Sequence, residues 1–180
     1  MFSGCDKDPE PENIPEMITR VVLTFTPAGA APIVAEANDP DGDGPQDIEI
    51  EPIVLNANTD YTLTIQLYNG LYEPTDPEYN ITEEVEEEGD EHQFFFGWSA
   101  GLFTSPTGTG NIGAAGTVNY ADEDAGGLPI GLTTTWTTGT ATSDKSFRVI
   151  LKHQPDIKSV TSTSADGESD LDVTFPISIN

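Results

Sequence analysis

Basic residues are almost missing from this chain. Six lysines and arginines stand against 32 aspartates and glutamates, a formal net charge of −26 over 180 residues. Such a field repels nucleic-acid phosphates and anionic lipid surfaces, which excludes nucleic-acid binding, and it concentrates cations. Histidine occurs twice, at His92 and His153, and cysteine once, at Cys5. With no GxSxG arrangement, these leave no nucleophile–base pair, so the chain reads as a non-enzyme. Carboxylates are plentiful, but abundance does not position a glycosidase-type pair. No run of about 18 apolar residues exists, so no transmembrane helix is expected. The GxGxxG spacing at Gly108-Thr109-Gly110-Asn111-Ile112-Gly113 lacks a βαβ context and reads as a flexible loop.

What remains is a chain of 36% hydrophobic and 8% aromatic residues, enough for one domain with a real core. Short runs of β-branched and aromatic residues alternate with turn chemistry. Strands are predicted near 17–26, 32–37, 48–55, 61–68, 92–98, 117–120, 132–138, 145–153 and 170–178. Helical periodicity is confined to 81–88, with Asn80 as a cap. Nine short strands predict an all-β, two-sheet antiparallel β-sandwich of immunoglobulin-like or related topology over 16–180. Residues 1–15 read as an anchor region and a Pro- and acid-rich tether.

If successive strands run antiparallel, the loops 38–47, 69–91, 121–131 and 154–169 share one end. They carry 20 of the 32 acids, whereas the loops of the other end carry only Asp60 and Asp144. Two readings fit this pole: general surface acidity of halophilic type, or specific cation binding that relieves the self-repulsion.

Both histidines belong to the acidic end. By pleat parity, His92 continues the face of Phe94, Phe96 and Trp98, and His153 that of Phe147, Val149 and Leu151. Two imidazoles at one mouth, with a carboxylate from Asp90, Glu91 or Asp156, suit zinc or copper. The plainer alternative is a pair of rim histidines hydrogen-bonded to carboxylates. The loop Asp39-Pro40-Asp41-Gly42-Asp43-Gly44 alternates oxygen donors ahead of a glycine, as a tight wrap around calcium requires. It resembles DxDxDG calcium loops, with Asp47 as a further ligand. An EF-hand needs Glu at the twelfth position, where this chain has Ile50, and an ordinary Asp/Gly turn is the alternative.

The segment Phe2-Ser3-Gly4-Cys5, followed by Asp6-Lys7-Asp8-Pro9, resembles the end of a bacterial lipoprotein signal peptide, in which the cysteine is acylated. Together with the 39–44 loop, Ile81-Thr82-Glu83-Glu84, Asp90-Glu91-His92-Gln93 and Leu151-Lys152-His153-Gln154-Pro155, it gives the chain a resemblance to small outer-membrane lipoproteins of the Bacteroidota. That resemblance implies a lipid anchor at Cys5, a place on the outer membrane or cell surface, and membrane contact only through the lipid. It also implies an accessory role beside a TonB-dependent transporter in metal or nutrient uptake. The competing expectation is a structural, adhesive or carbohydrate-binding sandwich with purely stabilising calcium. Its working surface would be the opposite end, around Trp98, Phe103, Trp136 and the 105–116 loop.

Overall fold

Alternating apolar residues with polar neighbours dictate most of the strands, because side chains of a strand point to opposite faces with period two. In the computed structural model, which describes residues 16–42 and 44–180, they form β1 (Arg20–Pro27), β2 (Ile33–Asn38), β3 (Glu49–Ile50), β4 (Ile53–Leu55), β5 (Asp60–Tyr68), β6 (His92–Trp98), β7 (Phe103–Ser105), β8 (Thr133–Thr138), β9 (Thr142–His153) and β10 (Glu168–Ile179). Cys5, the 6–15 tether and Asp43 lie outside the described residues. A six-stranded sheet, β3-β2-β1-β5-β8-β7, packs on a four-stranded one, β4-β10-β9-β6. The inward residues of both sheets join one core. Aromatic contacts cross between the layers: Phe25 meets Phe147 at 6.2 Å between ring centroids, and Phe96 meets Trp136 at 5.6 Å.

The fold is the expected all-β sandwich, with four corrections of detail. Among the described residues there are ten strands rather than nine. The predicted 48–55 strand is two, because the chain crosses after Ile50 from the edge of one sheet to the edge of the other. The predicted 117–120 strand is reduced to a bridge between Tyr120 and Thr134, while β7 takes the neighbouring edge of β8. Pairing is not wholly antiparallel, since β4 lies parallel to β10. Trp98, Phe103 and Trp136 are also not a surface. They are buried, with Trp136 donating through Nε1 to Thr134 Oγ1, so no aromatic platform faces solvent at these positions.

The expected polarity of the loops holds in spite of these changes. β3 and β4 run in the direction foreseen for one strand, and residues 119–121 pass along β8 in the foreseen direction. Arg20 therefore faces Asn38 and Tyr68 at one end of the first sheet, and His92 and Glu168 flank His153 at the same end of the second. The 69–91 connection contains the helix α1 (Ile81–Glu87), which buries Ile81 and Val85, one turn apart, against the core. Asn80 sits at the cap position, but its amide reaches the Glu83 side chain instead of a backbone N–H.

Lys158 ties three of the acidic loops together. Its ammonium is almost wholly buried, donates to the Gly89 carbonyl, and pairs with Asp124 at 2.8 Å.

Candidate metal centre

β6 and β9 pair so that His92 stands directly opposite His153. The rings stack, with centroids 4.5 Å apart and planes within 7°. Both are buried. Each imidazole is held through one nitrogen. His92 Nδ1 lies 3.1 Å from the Glu88 carbonyl, which only accepts, so Nδ1 carries the proton. His153 Nε2 lies 3.1 Å from the Glu91 carboxylate and donates to it. The second nitrogen of each ring, Nε2 of His92 and Nδ1 of His153, is then a bare lone pair, buried without a partner. A ring held through one N–H by a carbonyl or carboxylate, with the other nitrogen free, is the arrangement that metal-bound histidines adopt. Burial pushes the His92 pKa down to about 4, against the weaker upward pull of the Glu88 carbonyl, so the ring is neutral at physiological pH.

Asp170 lies beside His92 and was not legible in the sequence. In Ser169-Asp170-Leu171-Asp172-Val173 the alternation assigns Asp170 to the solvent face beside Asp172. The β9–β10 ladder, however, pairs Ser169 with Lys152 and Leu171 with Leu151, leaving Asp170 as the extra residue of a bulge. A bulge breaks the pleat and re-aims a side chain. The Asp170 carboxylate is fully buried, with Oδ2 3.7 Å from His92 Nε2, beyond hydrogen-bond reach, and its one donor is the backbone N–H of Glu16. Burial raises its pKa to about 6. Gly167, at φ +73°, brings β10 onto this edge. A Cβ there would meet the His153 carbonyl oxygen at 2.1 Å, so the close approach excludes any side chain.

A second cluster adjoins the first. Donor atoms of Glu88, His92 and His153 all lie within 4.8 Å of one another, and so do those of Glu16, Glu84 and Glu88. Glu16 precedes β1, while Glu84 and Glu88 stand one turn apart at the end of α1. Burial first, and then the charge and hydrogen bond of Glu84, raise the Glu16 pKa to about 7. Burial and the neighbouring Glu84 and Glu91 raise that of Glu88.

The arrangement is open rather than closed. Two nitrogens on one tetrahedral zinc stand about 3.3 Å apart, with Zn–N bonds of about 2.0–2.1 Å. In-plane lone pairs of parallel rings do not converge, so loading the site requires a ring to tilt out of the stack.

The other residues singled out from the sequence are dispersed. Glu91 reaches His153, and it also lines a recess with Asp90, Asp156, Asp124 and Lys158, but Asp90 and Asp156 make no recorded contact with either histidine. Asp39 accepts weakly from the Asp41 backbone, at 3.4 Å, and Asp41 Oδ2 accepts from Gln46 N at 3.2 Å, closing its own turn. Asp41 Oδ1 is buried without a partner, and Asp47 is exposed. Among the described residues, the carboxylates of this loop form no converging group of three. No family model, curated protein or solved structure matches the chain.

The shifted groups fix a pH dependence for the metal-free protein. Asp170 and Glu16 have raised values, so their contribution is fully present below the unfolded carboxylate range and is lost as pH rises through about 6 and 7. His92 acts oppositely: its lowered value withdraws stability as pH falls from the unfolded value near 6.5 towards 4. Two groups outweigh one, and protonation also relieves the general self-repulsion. In EDTA, thermal melts are expected to show greater stability at about pH 5.5 than at about pH 8. A melting temperature that rises between these values contradicts the assignment.

Proposed function

We propose that this protein is a non-enzymatic cation-binding protein, and that His92 Nε2, His153 Nδ1 and the carboxylates of Asp170 and Glu88 take up a divalent transition metal of the zinc class. The observation that carries this reading is the pair of buried imidazole lone pairs without partners, beside the buried Asp170 carboxylate. Buried polar atoms ordinarily find partners, and their concentration at one point of the fold calls for a ligand. Mixed imidazole and carboxylate donors suit zinc and its first-row neighbours. The surrounding acidic loops raise the local cation concentration and steer ions to the mouth. Calcium at Asp39, Asp41, Asp43 and Asp47 is the lesser candidate, because Asp41 already spends one oxygen on its own loop. With the lipoprotein-like Cys5 segment, the reading extends to a lipid-anchored protein of the outer membrane or cell surface. There it captures metal for a neighbouring TonB-dependent transporter.

Calorimetric titration with Zn²⁺ tests the proposal. Wild type is expected to bind tightly, and His92→Ala and His153→Ala each to lose about a hundredfold or more in affinity, with Glu91→Gln losing about 10–100-fold as the orienting group of His153. Equal zinc binding by wild type and both alanine variants means that surface acidity holds the ion diffusely, and the site is abandoned.

A further inference from the structure

We propose that the acidic end of the sandwich is a docking surface for a basic segment of another protein, with Met17, Leu71 and Tyr72 as its apolar centre. The proposal uses none of the zinc donors named above and stands apart from that reading.

Exposed apolar side chains carry it. Among the described residues eight large hydrophobic side chains are exposed, and six of them gather at the acidic end. Leu71, Tyr72, Ile157 and Val160 lie within the acidic loops, with Met17 and Ile48 beside them. The other two, Val34 and Val54, belong to strands, and the loops of the opposite end hold none. Apolar side chains collected at one place and rimmed by polar ones mark an interaction surface.

Three of the six form one patch. Met17 and Leu71 converge over Gly42, where an added Cβ would lie 3.2 Å from Met17 Sδ and 3.6 Å from Leu71 Cδ1. Tyr72 follows directly and is 45% exposed. The turn that presents them is built rather than loose. Asn69 is buried, and it accepts the Leu71 N–H on Oδ1 and the Tyr72 N–H on its carbonyl. Thr19, also buried, accepts the Gly70 N–H on its hydroxyl. Two buried polar residues therefore hold an apolar tip out into water, at positions where turns ordinarily carry Asn, Asp, Ser or Gly. A surface fixed in advance loses little entropy on binding.

Charge selects the partner. The connections 38–47 and 69–91, which frame the patch, carry four and ten acids and no lysine or arginine. Asp47, Glu73 and Glu78 among them are exposed. An apolar centre inside a polar rim is the anatomy of a specific interface, and Tyr and Met are enriched there. A second copy of this chain and an anionic lipid surface are both repelled. A segment with arginine or lysine around apolar residues meets centre and rim together.

The test uses the full chain in EDTA at about 0.15 M salt, where exposed charges are screened beyond about 8 Å. The probes are two synthetic peptides of equal positive charge, one with leucine and phenylalanine among its arginines, the other with serine in their place. In calorimetric titration, wild type is expected to bind the apolar peptide about tenfold or more tighter than the serine peptide, the effect of residues at an interface centre. The double variant Leu71→Ser/Tyr72→Ser is expected to lose that preference and Val34→Ser to keep it, with thermal melts confirming that both are folded. If wild type binds the two peptides equally, or binds neither, the proposal is overturned. It is overturned as well if the double variant keeps the preference, because the peptide then sits elsewhere. Sedimentation of wild type, but not the double variant, with uncharged phosphatidylcholine vesicles would replace the protein partner with a lipid surface. Dimerisation abolished in the double variant would replace it with a second copy. EDTA removes zinc throughout, so none of these outcomes bears on the metal site.

Discussion

Replacing Lys158 with alanine is expected to lower stability by about 3–5 kcal/mol, the usual consequence of leaving a buried charge without its partner. For a chain of this length that is a fall in melting temperature on the order of 10 °C. The reason lies in what the ammonium holds. Asp124 is nearly as buried as Lys158, and its Oδ1 already accepts from the backbone of Gly126 and Leu128. Burial alone would raise its pKa, but the Lys158 hydrogen bond and the two backbone donors outweigh burial and hold it below the usual range. Without Lys158 those opposing effects no longer balance, and the Gly89 carbonyl beside the Glu88–His92 turn loses its donor. Asp124→Asn keeps the Oδ1 acceptor but turns an amide NH2 towards a Lys158 ammonium left buried without its counter-charge, and is expected to cost a comparable amount. Urea unfolding of the two variants checks this, and salt should change the losses little because the pair is shielded. A loss below about 1 kcal/mol in either variant would mean that the pair does not hold these loops together.

Asp170→Asn is expected to do the reverse. In EDTA at neutral pH it should stabilise the protein by about 1–3 kcal/mol, since it removes a buried charge that has only the Glu16 backbone N–H as a donor. In zinc it should lose the stabilisation that a ligand bound only by the native state confers, which reaches about 2.7 kcal/mol at a hundredfold excess over Kd. The ranking of wild type and variant therefore inverts between the two buffers. A variant less stable than wild type in EDTA would mean that Asp170 is already satisfied by a protonated His92, and the pair would then be a buried ion pair rather than a metal site. Trading stability for a strained, charged site is a common pattern where binding requires it.

The parts of this molecule that follow period-two alternation were legible in the sequence. Val21-Leu23-Phe25, Phe94-Phe96-Trp98 and Phe147-Val149-Leu151 each announce an inward face, and the same parity carried His92 and His153 to one mouth. Strand direction survived because the split of 48–55 and the shrinking of 117–120 left the run of the chain unchanged. What escaped was whatever breaks the period or depends on distant packing. Asp170 reads as solvent-facing until the bulge turns it inward. Glu16 is distant from Glu84 and Glu88 in sequence and meets them only because the entry to β1 passes the end of α1. Asp90 and Asp156 looked equivalent to Glu91 on proximity alone, yet only Glu91 faces His153. The one available hint was local: a helix ending in consecutive glutamates, against its own dipole.

The parallel pairing of β4 with β10 also governs the order in which the sandwich is completed. β10 is an interior strand, flanked by β4 and β9, and it joins Ile53 to Ile177 across most of the chain's length. The four-stranded sheet therefore stays unfinished until the last of its strands has emerged from the ribosome. Until then β9 and β4 present open edges, and the histidine pair has no Asp170 beside it. Contacts of such long sequence separation make for slow folding. A chain cut before residue 168 is left with the exposed strand edges from which aggregation starts.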